Sequence, residues 1–278
     1  MPAIGYVNGK FGPLEEAVVS VEDRGFQFGD GVYEVIRTYG GRPFHLDAHL
    51  ARLERSAKAI GLALPQSIEA WRGLVEEGLR LAALPESKVY LQVTRGAAPR
   101  DHRFPPSTSP TTVMTIRAMH PVEPALRESG VEAATAEDQR WGRCDIKSVN
   151  LLPNVLVRQA ALERGAFEAI LVRDGEVTEG AVSNVMIVRG GIVQTAPEGP
   201  RILSGVTRSL VLDLARSLGR VRERAVTVEE LYAADEVFLT GTTIEILPVV
   251  RIDGRAIGAG VPGAVTKSLY GLFQRLVR

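Results

Sequence analysis

The chain is poor in several things that would have directed it elsewhere. It has a single cysteine, Cys144, so it has no partner for an intrachain disulfide and too few thiols for a cysteine-based zinc centre. It has no charge surplus: 33 basic residues are matched by 33 acidic ones, which leaves nothing to favour nucleic acid or an anionic membrane surface. No apolar run approaches the roughly 20 residues that span a bilayer as a helix. The opening MPAIGYVNGKFG lacks the basic-then-apolar pattern of a secretory leader, so a reducing cytoplasm is the expected compartment. Of the four histidines, His45 and His49 are four apart on a predicted helix. No HExxH context accompanies them, so they read as helix-surface residues and no metal site is expected. There is no internal repeat and no low-complexity tract.

What is present is a soluble globular composition, 45% hydrophobic and 24% charged over 278 residues, enough for one large domain or two ordinary ones. Ile4–Val7, the Asn8-Gly9 turn and Ala17–Val21 are expected to open the fold as a hairpin. Residues 32–39 (VYEVIRTY) form a strand ended by Gly40-Gly41. A helix follows with Asp47 as N-cap and Leu50, Leu53, Ala57 and Ile60 at helical spacing. A second helix starts near Ser67. Val89, Leu91 and Val93 alternate as a strand, a proline-rich loop GAAPRDHRFPPSTSP follows, and TTVMTIRA is a further strand. The stretch MHPVEP is the best linker, which predicts domains over 1–118 and 125–278 joined through 119–124. In the second part, strands are expected at 131–136, 168–172, 185–188, 192–195 and 236–240. Asp174-Gly175 and Gly190-Gly191 mark hairpin turns. Helices are predicted over about 153–165 and 264–276, and Leu203-Ser204-Gly205-Val206-Thr207 leads into a helix that runs to about Leu218. Hairpins outnumber βαβ units, so the class is mixed α+β and α/β, with largely antiparallel or mixed sheets.

Lys147 sits in RCDIKSVNLL among small and apolar neighbours. One reading is an ammonium that snorkels outward or pairs with Asp145. The other is a Schiff-base lysine, because a desolvated amine can lose its proton and attack a carbonyl. Two stretches could hold a phosphate or could be plain polar turns. Gly205-Val206-Thr207 opens a helix whose free N–H groups favour an anion. Gly241-Thr242-Thr243 lies at a strand end and can form an anion-binding nest. Glu179 in VTEG is either a solvated carboxylate or the partner of a protonated pyridine nitrogen. Arg100-Asp101-His102, stiffened by prolines 99, 105 and 106, is either an exposed basic loop or a grip for a carboxylate.

Six stretches in order carry a resemblance over essentially the whole chain: EDRGFQFGDGVYEV, VTRGAAPRDHRFP, RWGRCDIKSVNLL, EAILVRDGEVTEGAVSNV, ILSGVTR and FLTGTTIEILPV. Together they resemble the fold-type IV pyridoxal-phosphate enzymes of the class IV aminotransferases, in the branch that acts on D-amino acids. The resemblance implies a small N-terminal α+β domain and a larger C-terminal domain with a mixed, pseudo-barrel sheet. It implies Lys147 as the Schiff-base lysine and Glu179 on the pyridine nitrogen. Arg52, Val206, Thr207, Thr242, Thr243 and Ser183 would bind the cofactor, mostly at its phosphate. Tyr33 would face cofactor and substrate, and Arg100 and His102 would take the substrate carboxylate and so select the D hand. The substrates implied are amino acids of the D-alanine type and 2-oxo acids such as 2-oxoglutarate, exchanged by ping-pong kinetics in a homodimer. Within the same fold, a branched-chain L-aminotransferase or an R-selective amine transaminase is the alternative. Gly241 stands where many relatives carry serine.

Overall fold

The computed structural model describes residues 3–277. The chain divides into two compact units, one built from the residues up to His120 with Ile146–Asn150, the other from Pro121–Asp145 with the residues from Leu151 onward.

The first unit is organised by an antiparallel sheet. Its strands are β1 (Ile4–Val7), β2 (Lys10–Pro13), β3 (Gly31–Tyr39), β4 (Arg42–Pro43), β5 (Ser87–Thr94) and β6 (Thr111–Ala118), in the order β2-β1-β6-β5-β3-β4. The turn Asn8-Gly9 has positive φ at both residues, 45° and 99°, the geometry that joins neighbouring strands through two residues. Such a turn pairs the residues beside it, so Val7 faces Lys10. This corrects the expectation for Ala17–Val21. The returning strand is Lys10–Pro13, a short 3-10 turn follows at Leu14–Glu16, and residues 17–20 are not in the sheet. The helices Leu46–Ala59 and Ile68–Ala82 cover one face. Their stripe of Leu50, Leu53, Ala57, Trp71 and Val75 packs with Val32, Ile36, Val89, Leu91 and Val93 of the strands. Trp71 is fully buried, and truncating such a side chain costs about 3–5 kcal/mol. Ser67 caps the second helix, accepting from the Ala70 amide at 3.2 Å. Asp47 does not cap the first. The N-cap is His45, in a left-handed backbone with φ 50°, while Asp47 turns outward to Arg72 at 2.7 Å.

The second unit carries a mixed sheet. Its strands are β7 (Val131–Glu137), β8 (Glu168–Arg173), β9 (Glu176–Gly180), β10 (Asn184–Arg189), β11 (Ile192–Thr195), β12 (Val221–Glu223), β13 (Glu236–Gly241), β14 (Glu245–Ile252) and β15 (Arg255–Ala256). The order is β12-β11-β10-β13-β14-β7-β8-β9, with β15 on β14. The pairs β11/β12, β14/β7 and β7/β8 are parallel and the rest antiparallel. Asp174-Gly175 and Gly190-Gly191 are two-residue turns with positive φ throughout, as their sequences predict. Val131, Ile170, Val185, Ile187, Leu239 and Leu247 form the core. The helix Val206–Ser217 lies against β13 and against the helix Ala264–Val277. A third helix, Leu152–Glu163, packs Ala161 against Ala134 and Ala169.

Candidate active site

In the first unit, Lys147 is delivered by a five-residue segment that docks on β3. The Tyr33 amide donates to the Lys147 carbonyl at 3.0 Å, and the Val149 amide to Gly31 at 3.1 Å. The Lys147 amide donates to Ser56 Oγ at 3.1 Å. Backbone and flanks are therefore fixed while the side chain stays half-buried, its Nζ 4.3 Å from the centre of the Tyr33 ring. An ammonium over a ring face is stabilised electrostatically. Tyr33 in turn packs on Tyr90, ring centres 5.5 Å apart. Burial, with the Tyr33 hydroxyl nearby, pushes the Tyr90 phenol up to about 12. Lys147 and Tyr33, two residues named on different grounds from sequence, are thus brought together.

Beneath them lies a buried charge cluster that sequence reading missed. Glu34 is fully buried on β3. Arg52 binds it with two hydrogen bonds, Nε to Oε1 at 2.7 Å and Nη2 to Oε2 at 2.8 Å. His49 Nδ1 lies 2.7 Å from Oε2. Burial alone would raise the carboxyl, but the Arg52 charge and bonds outweigh it and hold Glu34 at about 2. His49 is not a helix-surface residue: it is 2% exposed, and burial lowers its pKa despite the pull of Glu34. Arg52 and His49 are three apart on one helical face, which places both over Glu34. The signal was legible in VYEVI, where Glu34 alternates in phase with the core residues Val32 and Ile36.

In the second unit, Glu179 lies on β9 and is 5% exposed. Asn184 Nδ2 donates to its Oε2 at 2.9 Å, the Leu203 amide donates to the same oxygen at 3.0 Å, and Arg140 pairs with Oε1. Arg140 is held in turn by Asp138, Nε to Oδ1 at 2.9 Å and Nη2 to Oδ2 at 2.9 Å. Burial opposes charge on Asp138, but the Arg140 contacts prevail and its carboxyl stays below the usual range. Burial also opposes charge on Arg140, and the two carboxylates reverse that and raise its pKa. Glu179 is therefore not a solvated carboxylate. It is an anion fixed by three donors, fit to hold a proton on a heterocyclic nitrogen.

The phosphate-binding expectation rests on the same network. Asn184 Nδ2 also donates to the Leu203 carbonyl at 2.9 Å, two residues before Gly205. A Cβ at Gly205 would come 2.1 Å from Asn184 Oδ1, so only glycine fits there. Gly205 is the N-cap of the helix Val206–Ser217 and supplies no side-chain cap. The first amides of that helix, with the buried hydroxyl of Thr207, are open to an anion. Thr242 and Thr243 form the turn between β13 and β14, which closes with Gly241 paired to Glu245. Ser183 points elsewhere: its Oγ donates to the buried carboxylate of Glu168 at 3.0 Å. A Cβ at Gly241 would meet Ile244 Cγ1 at 3.2 Å, a contact that yields with a small shift.

Arg100 and His102 lie in the loop after β5, both exposed. They share one neighbour in the first unit, the ring of Phe28.

The family model described as amino-transferase class IV matches residues 31–252. The chain belongs to the amino-transferase class IV family. Among curated relatives of this class IV chain, a D-alanine aminotransferase of Bacillus licheniformis is 47% identical, over 97% of this chain and 95% of the relative. One from Staphylococcus haemolyticus is 41% identical, over 98% and 97%. Among solved structures, the branched-chain amino acid aminotransferase of Escherichia coli aligns with a TM-score of 0.92 at 30% identity, covering 100% of this chain and 95% of that one. The T.th. branched-chain enzyme, solved with pyridoxamine 5'-phosphate, gives 0.92 at 29% identity, with 100% and 94% covered. This is accordingly an aminotransferase of the pyridoxal-phosphate class. The residues present fit that cofactor: a half-buried amine on an anchored segment, an ionised buried carboxylate, and a helix start without a cap.

Proposed function

We propose that this class IV aminotransferase moves the amino group of D-amino acids, of the D-alanine type, onto a 2-oxo acid such as 2-oxoglutarate. The curated relatives of 41–47% identity over nearly the full length carry D-alanine aminotransferase as their activity. The branched-chain enzymes are fold relatives at about 30% identity. The observation that carries the choice is the pair Arg100 and His102, held against one ring within three residues of each other. Two adjacent donors of this kind suit a carboxylate, and an amine substrate would not need them.

When bound, pyridoxal phosphate supplies an aldehyde that takes up the amino group and an electron-poor ring that stabilises the charge left on Cα. Lys147 would hold the cofactor covalently through its amine, and that amine, when free, would move a proton from and to the substrate Cα. Glu179, locked by Arg140, Asn184 and the Leu203 amide, keeps the ring nitrogen protonated. The Val206 and Thr207 amides, the Thr207 hydroxyl and the Thr242–Thr243 turn bind the phosphate. Arg52, with Nε and Nη2 committed to Glu34, supports that phosphate end as a rigid cation. Tyr33 orders the Lys147 amine. Arg100 and His102 fix the carboxylate, and so decide which hydrogen on Cα points at Lys147. The hand selected thus follows from the carboxylate anchor and not from the lysine.

Two further readings belong here. The enzyme acts as a homodimer: Leu152, Val155 and Leu156 form an apolar stripe on one helical face, 67%, 58% and 60% exposed, an arrangement that stays exposed on few monomers. It works in the cytoplasm, a reducing compartment that suits a chain whose cysteine, Cys144, is free. Among the described residues no helix is long and apolar enough to cross a membrane.

The test is direct. Purified holoenzyme should be yellow, and borohydride should fix the cofactor on Lys147. D-Alanine should then shift the visible spectrum and L-alanine should not. Equal responses to both hands would sink the D assignment, and a colour unchanged by either would reduce the protein to a cofactor binder. Arg100→Ala should keep its colour and lose roughly 30-fold or more in kcat/KM for D-alanine, the scale of a truncated charge-assisted contact.

A further inference from the structure

The loop that carries Arg100 and His102 has no regular structure of its own between β5 and β6 apart from an isolated bridge at Ala97, yet it is tied down at three points. At its start, Arg95 binds both oxygens of Asp30, at 2.8 and 3.0 Å, and the carbonyls of Gly61 and Ile60 at 2.9 and 2.8 Å. In its middle, Arg24 donates from Nη1 to the Asp101 carbonyl at 2.6 Å and from Nε to Asp30 at 2.9 Å. Three residues past Asp101, the Phe104 ring lies under the Arg95 guanidinium at 3.7 Å. Arg24 and Arg95 are both buried, so Asp30 links the two arginines from within.

At the centre of this circuit stands Phe28. The guanidinium of Arg100 lies 4.6 Å from its ring centre and that of Arg24 lies 4.8 Å away. The His102 ring packs on it at 5.3 Å, tilted by 51°. The two side chains read as the carboxylate grip thus rest on one aromatic surface. The same ring also contacts the arginine that pins the carbonyl between them.

We infer that Phe28 is the positioning residue of the carboxylate grip: its ring face sets where Arg100 and His102 present their donors, with Arg24 as the pivot. The inference rests on the reading of Arg100 and His102 as the substrate-carboxylate pair. Its physical content is that an exposed arginine has many rotamers, and ordering it costs free energy each time substrate binds. A ring face within 6 Å attracts the guanidinium through its quadrupole and narrows that ensemble beforehand. An aliphatic side chain of similar volume fills the same space without that attraction. Phe28 therefore acts on carboxylate affinity, through Arg100 and His102, and not on the proton transfers at Lys147. Part of the choice of D-amino acids over carboxylate-free amines then resides in the motif RGFQF, some seventy residues before the loop.

The experiment is a single-turnover titration of holoenzyme with D-alanine, followed by the cofactor's visible spectrum. It yields an apparent Kd and a limiting rate separately. Phe28→Leu should raise Kd roughly three- to tenfold, the scale of one partly desolvated cation–π contact, with the limiting rate within about twofold. Phe28→Tyr keeps a ring face and should restore the wild-type Kd. Arg100→Ala should raise Kd further, and adding Phe28→Leu to it should raise Kd by less than Phe28→Leu does alone, since coupled residues are not additive. A Phe28→Leu enzyme with unchanged Kd, beside an Arg100→Ala enzyme with raised Kd, overturns the inference and leaves the carboxylate reading intact. An Arg100→Ala enzyme with unchanged Kd overturns the carboxylate reading itself. A Phe28→Leu enzyme that loses limiting rate and thermal stability at constant Kd shows a purely structural role and also overturns the inference. If Phe28→Leu does not fold, Phe28→Met carries the same outcomes.

Discussion

Glu34 in the first unit and Glu168 in the second are the same residue type and equally buried, each with no exposed surface. Their carboxyls shift in opposite directions. Glu34 is held down at about 2 and Glu168 is raised. Burial is the largest influence on both and pushes both upward. What differs is the surroundings. Glu34 has Arg52 on both oxygens, itself 5% exposed, and His49 beside it. Glu168 has a single contact from Arg158 at 3.0 Å, whose side chain is 31% exposed, plus the Ser183 hydroxyl and the Ala169 amide. A dry bidentate guanidinium overcomes desolvation, whereas a half-solvated monodentate one does not. The same burial therefore leaves one of these two glutamates with a depressed pKa and the other with a raised one. Glu34 holds the Arg52 guanidinium in place through both of its oxygens.

Three experiments would break or sharpen this contrast. The largest effect is expected from Glu34→Gln, which leaves Arg52 buried without its counter-charge. The loss should be about 3–5 kcal/mol in urea unfolding, and a loss under about 1 kcal/mol would mean that the pair is not the buried anchor described. The next is the pH dependence of that loss. The folded pKa of Glu34 is depressed, so its stabilisation is present above the unfolded value near 4.5 and is lost as pH falls toward about 2. His49 acts in the same direction, since its lowered folded pKa means that the unfolded chain takes up the proton first as pH falls through about 6.5. The stability gap between wild type and Glu34→Gln should therefore shrink between pH 5 and pH 3. Glu168 has the opposite sign: its folded pKa is raised, so its contribution is present below 4.5 and lost as pH rises through the folded value. Glu168→Gln should accordingly be the mildest change, within about 1 kcal/mol at pH 7, because Arg158 can turn to water. A cost above about 3 kcal/mol would place Glu168 with Glu34 and erase the distinction.

The difference also shows how far sequence reading reached. Lys147, Glu179 and the Gly205-Val206-Thr207 helix start stood out as candidates from their residue types and neighbours. Turn positions were legible wherever two residues both had to adopt positive φ, as at Asp174-Gly175. The helix starting at Ser67 was legible from its cap. Other features were not. Asp47 looked like a cap, but the backbone placed His45 there in a left-handed conformation. His49 looked like a surface residue because a helix pattern does not say which strand lies beneath it. Arg140 and Asn184, which with the Leu203 amide hold Glu179, have no local signature, since their partners lie 39, 5 and 24 residues away along the chain. Ser183, named as a cofactor ligand from the resemblance, instead donates its hydroxyl to Glu168.

By itself the sequence determined much of the alternation of core and surface, the two-residue turns, the start of the helix at Ser67, and which residue types stand at 147, 179 and 207. Each of these depends on a residue's own backbone preferences or on neighbours a few positions away. Only the tertiary structure decided which charges are buried together: Glu34 with Arg52 and His49, Glu179 with Arg140, Arg24 and Arg95 with Asp30. The energy of an ion depends on whether its counter-charge and donors reach it out of water, and that is settled by which strands and helices lie against each other.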